Sequence, residues 1–367
     1  MRQVLYAFII LITLSCSVEN EQKTGYVFPS FTGNGEDGLH LLVSYNGYTW
    51  EEVDDYKSIY LQKEGLMRDP SICIGGDGKY HMTHTTEWFD HRIAVTHSED
   101  LVNWTPTEFL YVWGDYKGIG TEESDGSSWA SNNLSKPVKR DSLVKNCWSP
   151  TIFYDDRTKE YVIFWATTIE HPDVFPETWN PEIWENMNHR IYYIVTKDFI
   201  SYSPRKLFYA PKNHMVIDAF VAKVDEENYV MGIKEESLQQ LHVVKSKKKL
   251  ESWVNMPPDF WEDISDTEPF AGPNVPGVMV RAEGNAIFRV GEEWLVYCDY
   301  WRTKSNGAFM TLDFETFTNI TDRVQLPGWI RNGKIFEVPG SEVDKLSTYK
   351  TDGPGIVVEP IPQASWR

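Results

Sequence analysis

Leu39-His-Leu-Leu-Val-Ser-Tyr-Asn-Gly-Tyr-Thr-Trp50 combines an apolar strand, a polar turn and an aromatic residue, and the chain repeats this unit. The second copy is His91-Arg-Ile-Ala-Val-Thr-His-Ser-Glu-Asp-Leu-Val-Asn-Trp104. Three further copies occupy residues 189–202, 241–253 and 308–317. Runs rich in Val, Ile and aromatic residues that end at polar turns are typical of β-hairpins. The five copies therefore predict five outer hairpins of one repeated architecture.

A second unit precedes four of these copies and consists of two apolar strands joined by a turn. It covers residues 71–86, 151–167, 219–233 and 286–300. Four strands per repeat predict an all-β fold, a five-bladed β-propeller. The hairpin at residues 39–50 has no inner strands ahead of it. We therefore predict that Lys334-Ile-Phe-Glu-Val338 lies beside Tyr26 to Phe31 and closes the ring by joining the N- and C-terminal strands.

The composition is that of a globular chain that can bury a large core. Of its 367 residues, 41% are hydrophobic and 14% are aromatic, which excludes a disordered chain. The predicted organisation is a leader at residues 1–16, a tether at 17–24, a propeller catalytic domain at 25–340 and a C-terminal extension at 341–367 that packs on the propeller.

The leader has an apolar run from Val4 to Leu14, followed by Ser15 and Cys16. This run is too short for a permanent membrane span. Cys16 resembles the lipidated cysteine of bacterial lipoproteins, and the alternative is an ordinary secretory peptide. The prediction is an exported periplasmic or cell-surface lipoprotein that contacts the membrane only through a lipid anchor on Cys16.

Charge and motifs exclude several function classes. With 35 basic and 54 acidic side chains the formal net charge is −19, which excludes a nucleic-acid partner and favours neutral or cationic ligands over polyanions. Cys73, Cys147 and Cys298 are an odd set without zinc-site spacing, so we predict buried free thiols and no disulfide framework. The absence of a Gly-x-Ser-x-Gly elbow and of a phosphate-binding glycine loop argues against serine hydrolases and nucleotide enzymes.

Three acidic residues stand at the starts of predicted inner strands in three different blades. They are Asp69 in Met67-Arg-Asp-Pro-Ser-Ile72, Asp218 in Val216-Ile-Asp-Ala-Phe220 and Glu283 in Arg281-Ala-Glu-Gly-Asn-Ala-Ile287. Their places in the repeat predict equivalent surroundings around the propeller axis. Carboxylates that meet in one pocket can keep one group ionised and another protonated near neutral pH. The alternative is that each caps a turn or pairs with Arg68, Arg281 or Arg331.

These motifs resemble the blade motifs of glycoside hydrolase family 43, as do Cys147-Trp-Ser-Pro-Thr-Ile-Phe-Tyr-Asp155, Phe164-Trp-Ala-Thr-Thr168 and Arg331-Asn-Gly-Lys-Ile-Phe336. The resemblance spans residues 26 to 340. It implies an inverting glycosidase that acts on arabinofuranosides, xylosides or related units of plant or algal polysaccharides. By position it implies Asp69 as general base, Glu283 as general acid and Asp218 as the residue that modulates the pKa of that acid. Base and acid of an inverting enzyme lie roughly 6.5–9.5 Å apart.

Five further residues are candidates for substrate binding. Trp88, Trp148 and Trp301 fall near predicted strand ends, where an indole face can stack on a sugar ring or pack in the core. Arg331 and Asn332 can hydrogen-bond sugar hydroxyl groups, and Arg331 can instead neutralise the carboxylates.

Three departures from the family pattern surround the acidic residues. Asn285 follows Glu283-Gly284 where the family has proline, and Thr151 stands where the family has an acidic residue. Asn332 replaces a histidine that commonly helps to hold an axial metal ion or water, which weakens the case for a structural calcium at the axis. We therefore expect no required cofactor.

The departures leave open an alternative, a catalytically impaired glycan-binding propeller lipoprotein. The retained Asp69, Asp218 and Glu283 oppose it. A third hypothesis, a propeller that serves protein contacts, predicts a filled axis without convergent carboxylates. In the leading hypothesis the protein is a monomer whose partner is an oligosaccharide or polysaccharide substrate.

Overall fold

The computed structural model describes residues 23–124, 143–182, 187–271 and 281–351. The predicted leader with Cys16, nearly all of the tether and residues 352–367 of the extension lie outside these ranges. Within them, no helix has both the length and the apolarity that a bilayer crossing requires. Cys73, Cys147 and Cys298 are buried free thiols.

The described residues form nineteen strands and one α-helix. In chain order they are β1 Thr24–Ser30, β2 His40–Ser44, β3 Glu51–Glu52, β4 Arg68–Ile74, β5 Tyr80–Thr85, β6 Ile93–Ser98, β7 Glu108–Leu110, β8 Trp148–Asp155, β9 Glu160–Thr167, β10 Arg190–Thr196, β11 Lys206–Tyr209, β12 Val216–Lys223, β13 Tyr229–Glu235, β14 Gln240–Lys245, β15 Ala282–Val290, β16 Glu293–Tyr300, β17 Ser305–Thr311, β18 Thr318–Asn319, β19 Phe336–Pro339 and α1 Gly340–Thr348.

These strands form five antiparallel sheets, which confirms the predicted five-bladed β-propeller. Blade 1 has the order β19-β1-β2-β3, blade 2 β4-β5-β6-β7, blade 3 β8-β9-β10-β11, blade 4 β12-β13-β14 and blade 5 β15-β16-β17-β18. In blade 1 the innermost strand comes from the C-terminal part of the chain, since Phe336 of β19 pairs with Val27 of β1. The predicted closure of the ring is therefore confirmed.

Blade 4 differs from the prediction because it has three strands instead of four. After β14 the chain enters a 3-10 turn at Trp253–Asn255. The buried Trp253 indole donates a hydrogen bond to Asp155 Oδ2 of blade 3 at 2.7 Å. The aromatic residue of this copy therefore links two blades, and no fourth strand forms around it.

A β-bulge occurs at the same place in the inner strands of blades 2 to 5. The strand register shifts between Arg68 and Ser71, and at the corresponding residues of β8, β12 and β15. One residue of each bulge has a positive φ, and Asn332 takes the corresponding place in blade 1. This bulge ring consists of Asp69 (φ 51°), Ser149 (48°), Asp218 (54°), Gly284 (61°) and Asn332 (27°). Non-glycine residues in this conformation cost about 1–3 kcal/mol each and cluster at functional sites.

The bulges correct the prediction that the three acidic residues have equivalent surroundings. Asp69 and Asp218 belong to the bulge ring, whereas Glu283 lies one residue earlier. Glu283 belongs to a pre-bulge ring, whose members are Arg68, Trp148, Ile217, Glu283 and Arg331. The three acidic residues also lie within the inner strands and not ahead of them.

Helix α1 follows β19 directly and covers one side of blade 1. Its Val343 and Leu346 are buried against Val27 of β1 and Val338 of β19. A side chain at Gly25 would meet Val343 at 2.3 Å, so this glycine lets the helix approach the sheet closely.

Candidate active site

One cavity of about 410 Å³ contains all eight residues that the sequence singles out. Its lining residues are Arg68, Asp69, Trp88, Trp148, Ile217, Asp218, Glu236, Gln239, Arg281, Glu283, Trp301, Arg331 and Asn332. Eight of these belong to the bulge ring and the pre-bulge ring. The inner strands therefore build the floor of the cavity, and the segments beyond the strand ends add its walls.

Asp69 is buried and accepts two hydrogen bonds. Thr85 Oγ1 donates to its Oδ2 at 2.7 Å, and Asn332 Nδ2 donates to its Oδ1 at 2.9 Å. Burial raises the pKa of Asp69, the Arg68 guanidinium opposes this shift, and the charge of Asp218 adds to it, so the pKa lies above the ordinary value of 3.8. A carboxylate with a raised pKa is a better proton acceptor than an ordinary one.

Asp218 connects the other two acidic residues. Its Oδ2 accepts the backbone N–H of Gly284, next to Glu283, at 3.1 Å. Its Oδ1 accepts the Asn332 amide at 3.3 Å, and this amide also reaches Asp69. Because Asn332 Oδ1 accepts from the Lys334 ammonium at 3.2 Å, its NH2 group must face the two carboxylates.

Glu283 contacts an ammonium group that the sequence analysis did not identify. Lys234 Nζ lies 2.7 Å from Glu283 Oε1 and 2.9 Å from Glu236 Oε2. Burial lowers the pKa of Lys234, but the charges of Glu236 and Glu283 outweigh this and raise it above its ordinary value. The only sequence signal is a single lysine within the buried strand β13.

A second ammonium, that of Lys334, lies at the propeller axis and was also missed. Lys334 is fully buried, its backbone pairs with Ser71 of blade 2, and its Nζ donates to the Asn285 carbonyl of blade 5 at 3.0 Å. Burial lowers the pKa of Lys334, whereas Asp218, Asp69 and Asp299 oppose the shift. In the sequence this lysine is part of the strand predicted to close the ring.

The residues at the propeller axis do not fit the divalent cation that the family resemblance suggests for this place. The Lys334 ammonium already supplies a positive charge there, and a second cation beside it would be repelled. No group of three or more histidine, cysteine or acidic side chains in the described ranges is arranged to hold a metal ion. No step of the chemistry considered below uses a metal.

Asp299 is a further buried carboxyl group beside the acidic residues. It is the cross-strand partner of Glu283 and accepts the Asn332 N–H at 2.9 Å, whereas its Oδ1 has no hydrogen-bond partner within the described residues. Burial, and next the charge of Glu283, raise the pKa of Asp299 to about 7.

This raised pKa predicts an unusual pH dependence of stability. Between about pH 4 and pH 7 the folded protein keeps the Asp299 proton that the unfolded chain releases, so the contribution of Asp299 to the free energy of unfolding falls as pH rises. In Asp299→Asn this contribution disappears. The free energy of unfolding of the variant minus that of wild type should therefore increase by about 2–4 kcal/mol between pH 4 and pH 8, as measured by urea unfolding. The exposed Asp322→Asn is the control, and parallel wild-type and Asp299→Asn profiles would contradict the assignment.

Two of the tryptophans form one wall of the cavity. Trp148 Nε1 donates to the Trp88 carbonyl at 2.7 Å, and the two rings meet edge to face with centroids 5.7 Å apart. Trp88 Nε1 donates to the Asn34 side chain at 3.0 Å. Trp301 lines the cavity from blade 5. These contacts fix the indoles whether or not a sugar stacks on them.

Two of the family departures link inner strands to each other. Thr151 Oγ1 donates to the Ala219 carbonyl at 3.0 Å, and Asn285 Nδ2 donates to the Asp218 carbonyl at 2.6 Å. Both bonds hold the bulge of blade 4 from the neighbouring blades. The departures therefore keep Asp218 in place by hydrogen bonds to its own carbonyl and to that of the next residue.

The cavity arginines do not form the ion pairs that the sequence analysis considered as an alternative. Within the described ranges, no carboxylate oxygen lies within 4.0 Å of Arg68, Arg281 or Arg331. The acidic residues instead contact the ammonium of Lys234, the Asn332 amide and the Thr85 hydroxyl.

Comparisons with known proteins identify a family. The sequence model of a family related to glycoside hydrolase family 43, described as "probable glycosyl hydrolase domain", matches residues 21–344. A xylan 1,3-beta-xylosidase from Vibrio sp. is 31% identical over 136 residues, which cover 27% of this chain and 25% of that protein. The matched region is thus about a quarter of that relative.

Two solved structures are similar at low sequence identity. An alpha-L-arabinofuranosidase from Lactobacillus brevis has a TM-score of 0.44 and 15% identity, covering 70% of this chain and 72% of that chain. An endo-arabinase from Bacteroides thetaiotaomicron VPI-5482 has a TM-score of 0.47 and 12% identity, covering 81% and 98%. Since the family match extends over most of the chain, this protein belongs to the glycosyl hydrolases related to family 43.

Proposed function

We propose that the protein is an inverting glycosidase that removes arabinofuranosyl, xylosyl or related units from plant or algal polysaccharides. The observation that supports this most directly is that Asp69 and Glu283, from blades 2 and 5, line the same cavity. Asp218 accepts the backbone N–H of the residue after Glu283, and it shares the Asn332 amide with Asp69. Two carboxyl groups on either side of a scissile bond are what glycoside hydrolysis requires.

In this mechanism Asp69 is the general base. It takes a proton from a water molecule as that water attacks the anomeric carbon. The raised pKa of Asp69 favours this transfer near neutral pH. Asn332 and Thr85 each donate to one of its oxygens, so the carboxylate has a fixed orientation.

Glu283 is the general acid and protonates the leaving oxygen. Lys234 donates to its Oε1, whereas its Oε2 makes no hydrogen bond to any residue that the structure describes. Oε2 is therefore the oxygen available for proton transfer to the substrate. Asp218 is the positioning residue, because it holds the backbone N–H that follows Glu283.

A substrate panel with product stereochemistry tests this function. The purified protein is incubated with aryl arabinofuranosides, xylosides and galactosides and with plant oligosaccharides, and the first product anomer is read by proton NMR. We expect release of a monosaccharide whose anomeric configuration is opposite to that of the substrate. A retained configuration would overturn the roles of Asp69 and Glu283, because the base would then have to act as a nucleophile.

The second candidate function is glycan binding without turnover. The replacements at Asn285, Thr151 and Asn332 favour it, because they alter the surroundings of the acidic residues. Oligosaccharide binding by calorimetry, together with no release across the panel, would support this function. Export, a lipid anchor on Cys16 and a monomeric state remain predictions from the sequence.

A further inference from the structure

Three guanidinium groups of the cavity form no ion pair within 4.0 Å of any carboxylate that the structure describes. Within the residues that the structure describes, the Arg68 guanidinium donates only to the Asn34 side chain, and that of Arg331 donates to the Gly33 carbonyl at 2.7 Å. Arg281 makes no hydrogen bond to any residue in the described ranges. The Nε atoms of Arg281 and Arg331 are buried and have no hydrogen-bond partner among the described residues. Most of the donors that these arginines offer are therefore unused.

The carboxylates of the cavity do not compensate these charges at short range. Glu236 and Glu283 share the Lys234 ammonium, and Asp69 and Asp218 share the Asn332 amide, which is itself bound to Lys334. Unpaired charges inside a protein are costly unless a counter-charge or hydrogen bonds compensate them. The arrangement thus leaves positive charge available to a ligand.

Arg68, Arg281 and Arg331 all line the cavity. Arg331 and Arg68 are neighbours in the pre-bulge ring, and both lie over the Phe31 ring, at 4.8 and 5.3 Å from its centroid. Arg281 precedes β15 of blade 5 and lies 5.7 Å from the Trp301 ring centroid. Arg281, Arg331 and Arg68 come from blades 5, 1 and 2, which are consecutive around the propeller, and we call these three arginines the basic wall of the cavity.

We propose that this wall, formed by Arg68, Arg281 and Arg331, binds an anionic group on the sugar that enters the cavity, either a uronic acid carboxylate or a sulfate ester. Guanidinium donors bind both groups through charge-assisted hydrogen bonds, often in pairs. The proposal rests on the proposed function and specifies the substrate class of that site. The net charge alone favours neutral or cationic ligands, and the proposal departs from that expectation. Surface charges more than about 8–10 Å from a ligand are screened in physiological salt, whereas the arginines of the wall would contact the ligand directly.

Matched pairs of substrates test the proposal. The probes are 4-nitrophenyl glucuronide against glucoside, galacturonide against galactoside, and galactoside 6-sulfate against galactoside, each in both anomeric forms. Turnover is measured with the wild type, and binding is measured by calorimetry with Glu283→Gln. We expect at least one anionic member to exceed its neutral partner by about 10-fold or more. The uronide and sulfate arms distinguish the two sources of negative charge.

Arginine variants connect this preference to the wall. Arg281→Gln should reduce binding and kcat/KM about 10- to 100-fold more for the preferred anionic probe than for its neutral partner. The matched control is Arg289→Gln, an exposed arginine on the opposite end of the same strand. Equal losses for both members of a pair would show that Arg281 serves structure alone and would overturn the proposal.

The outcomes separate this proposal from the proposed function. Turnover of neutral glycosides without any anionic preference would overturn the anionic class and leave the glycosidase intact. If an anionic probe binds in an Arg281-dependent way but is never hydrolysed, the result contradicts the proposed glycosidase activity and supports anion binding by the basic wall. Absence of binding to every probe would overturn the basic wall as a sugar site.

Discussion

Glu283→Gln and Asp69→Asn should each lower kcat by about 10²- to 10⁴-fold on an oligosaccharide, the range that general acid–base catalysis contributes. The glutamine at position 283 can still accept from Lys234 but has no acidic proton to give. The asparagine at position 69 can still bond to Asn332 but is too weak a base to deprotonate water. Circular dichroism and thermal unfolding establish that both variants are folded.

The leaving group distinguishes the two roles. A 2,4-dinitrophenyl glycoside needs little protonation as it departs, so Glu283→Gln should lose far less activity on it than on the oligosaccharide. Asp69→Asn should lose similar activity on both, because the attacking water needs its base in either case. Glu292→Gln, an exposed residue of the same blade, is the control. Retention of a tenth of wild-type kcat on the oligosaccharide by either variant would contradict its assigned role.

Lys334→Met is expected to have the largest effect on stability. The substitution removes the ammonium that faces Asp69, Asp218 and Asp299 at the propeller axis. Removing one partner of a buried charge network costs about 3–5 kcal/mol. The loss in free energy of unfolding should be large at pH 8 and smaller at pH 5, where Asp299, with its pKa raised to about 7, is protonated.

Urea unfolding of wild type and Lys334→Met at pH 5 and pH 8 measures this difference. Lys63→Met, at an exposed position, controls for the loss of a surface charge. Lys334→Arg keeps the charge at the axis and provides a second variant if the methionine protein does not fold. The hypothesis fails if the Lys334→Met loss is the same at both pH values, or if Lys334→Arg is as unstable as Lys334→Met.

The repeat alone was sufficient to predict the propeller and its closure. Strand patterns are local, and each copy carries its own apolar alternation and turn, so the number of blades can be counted along the chain. The first copy lacks inner strands, which predicts that a C-terminal strand completes its blade, and β19 does pair with β1. The prediction of four strands in blade 4 was wrong because Trp253 binds Asp155 of another blade. The sequence around Trp253 gives no sign of this distant partner.

The sequence by itself determined the fold and three of the four acidic residues that line the cavity, since both follow from the position of a residue within a repeat, whereas Glu236 lies outside the repeated positions. Only the tertiary structure decided how these residues are paired. A bulge shifts the register by one residue and separates Glu283 from Asp69 and Asp218. Asn332 meets Asp69 across 263 residues of sequence, and Lys234 meets Glu283 across 49. The charge on a buried side chain is compensated by groups that other blades supply, and no local pattern records which blade will supply them.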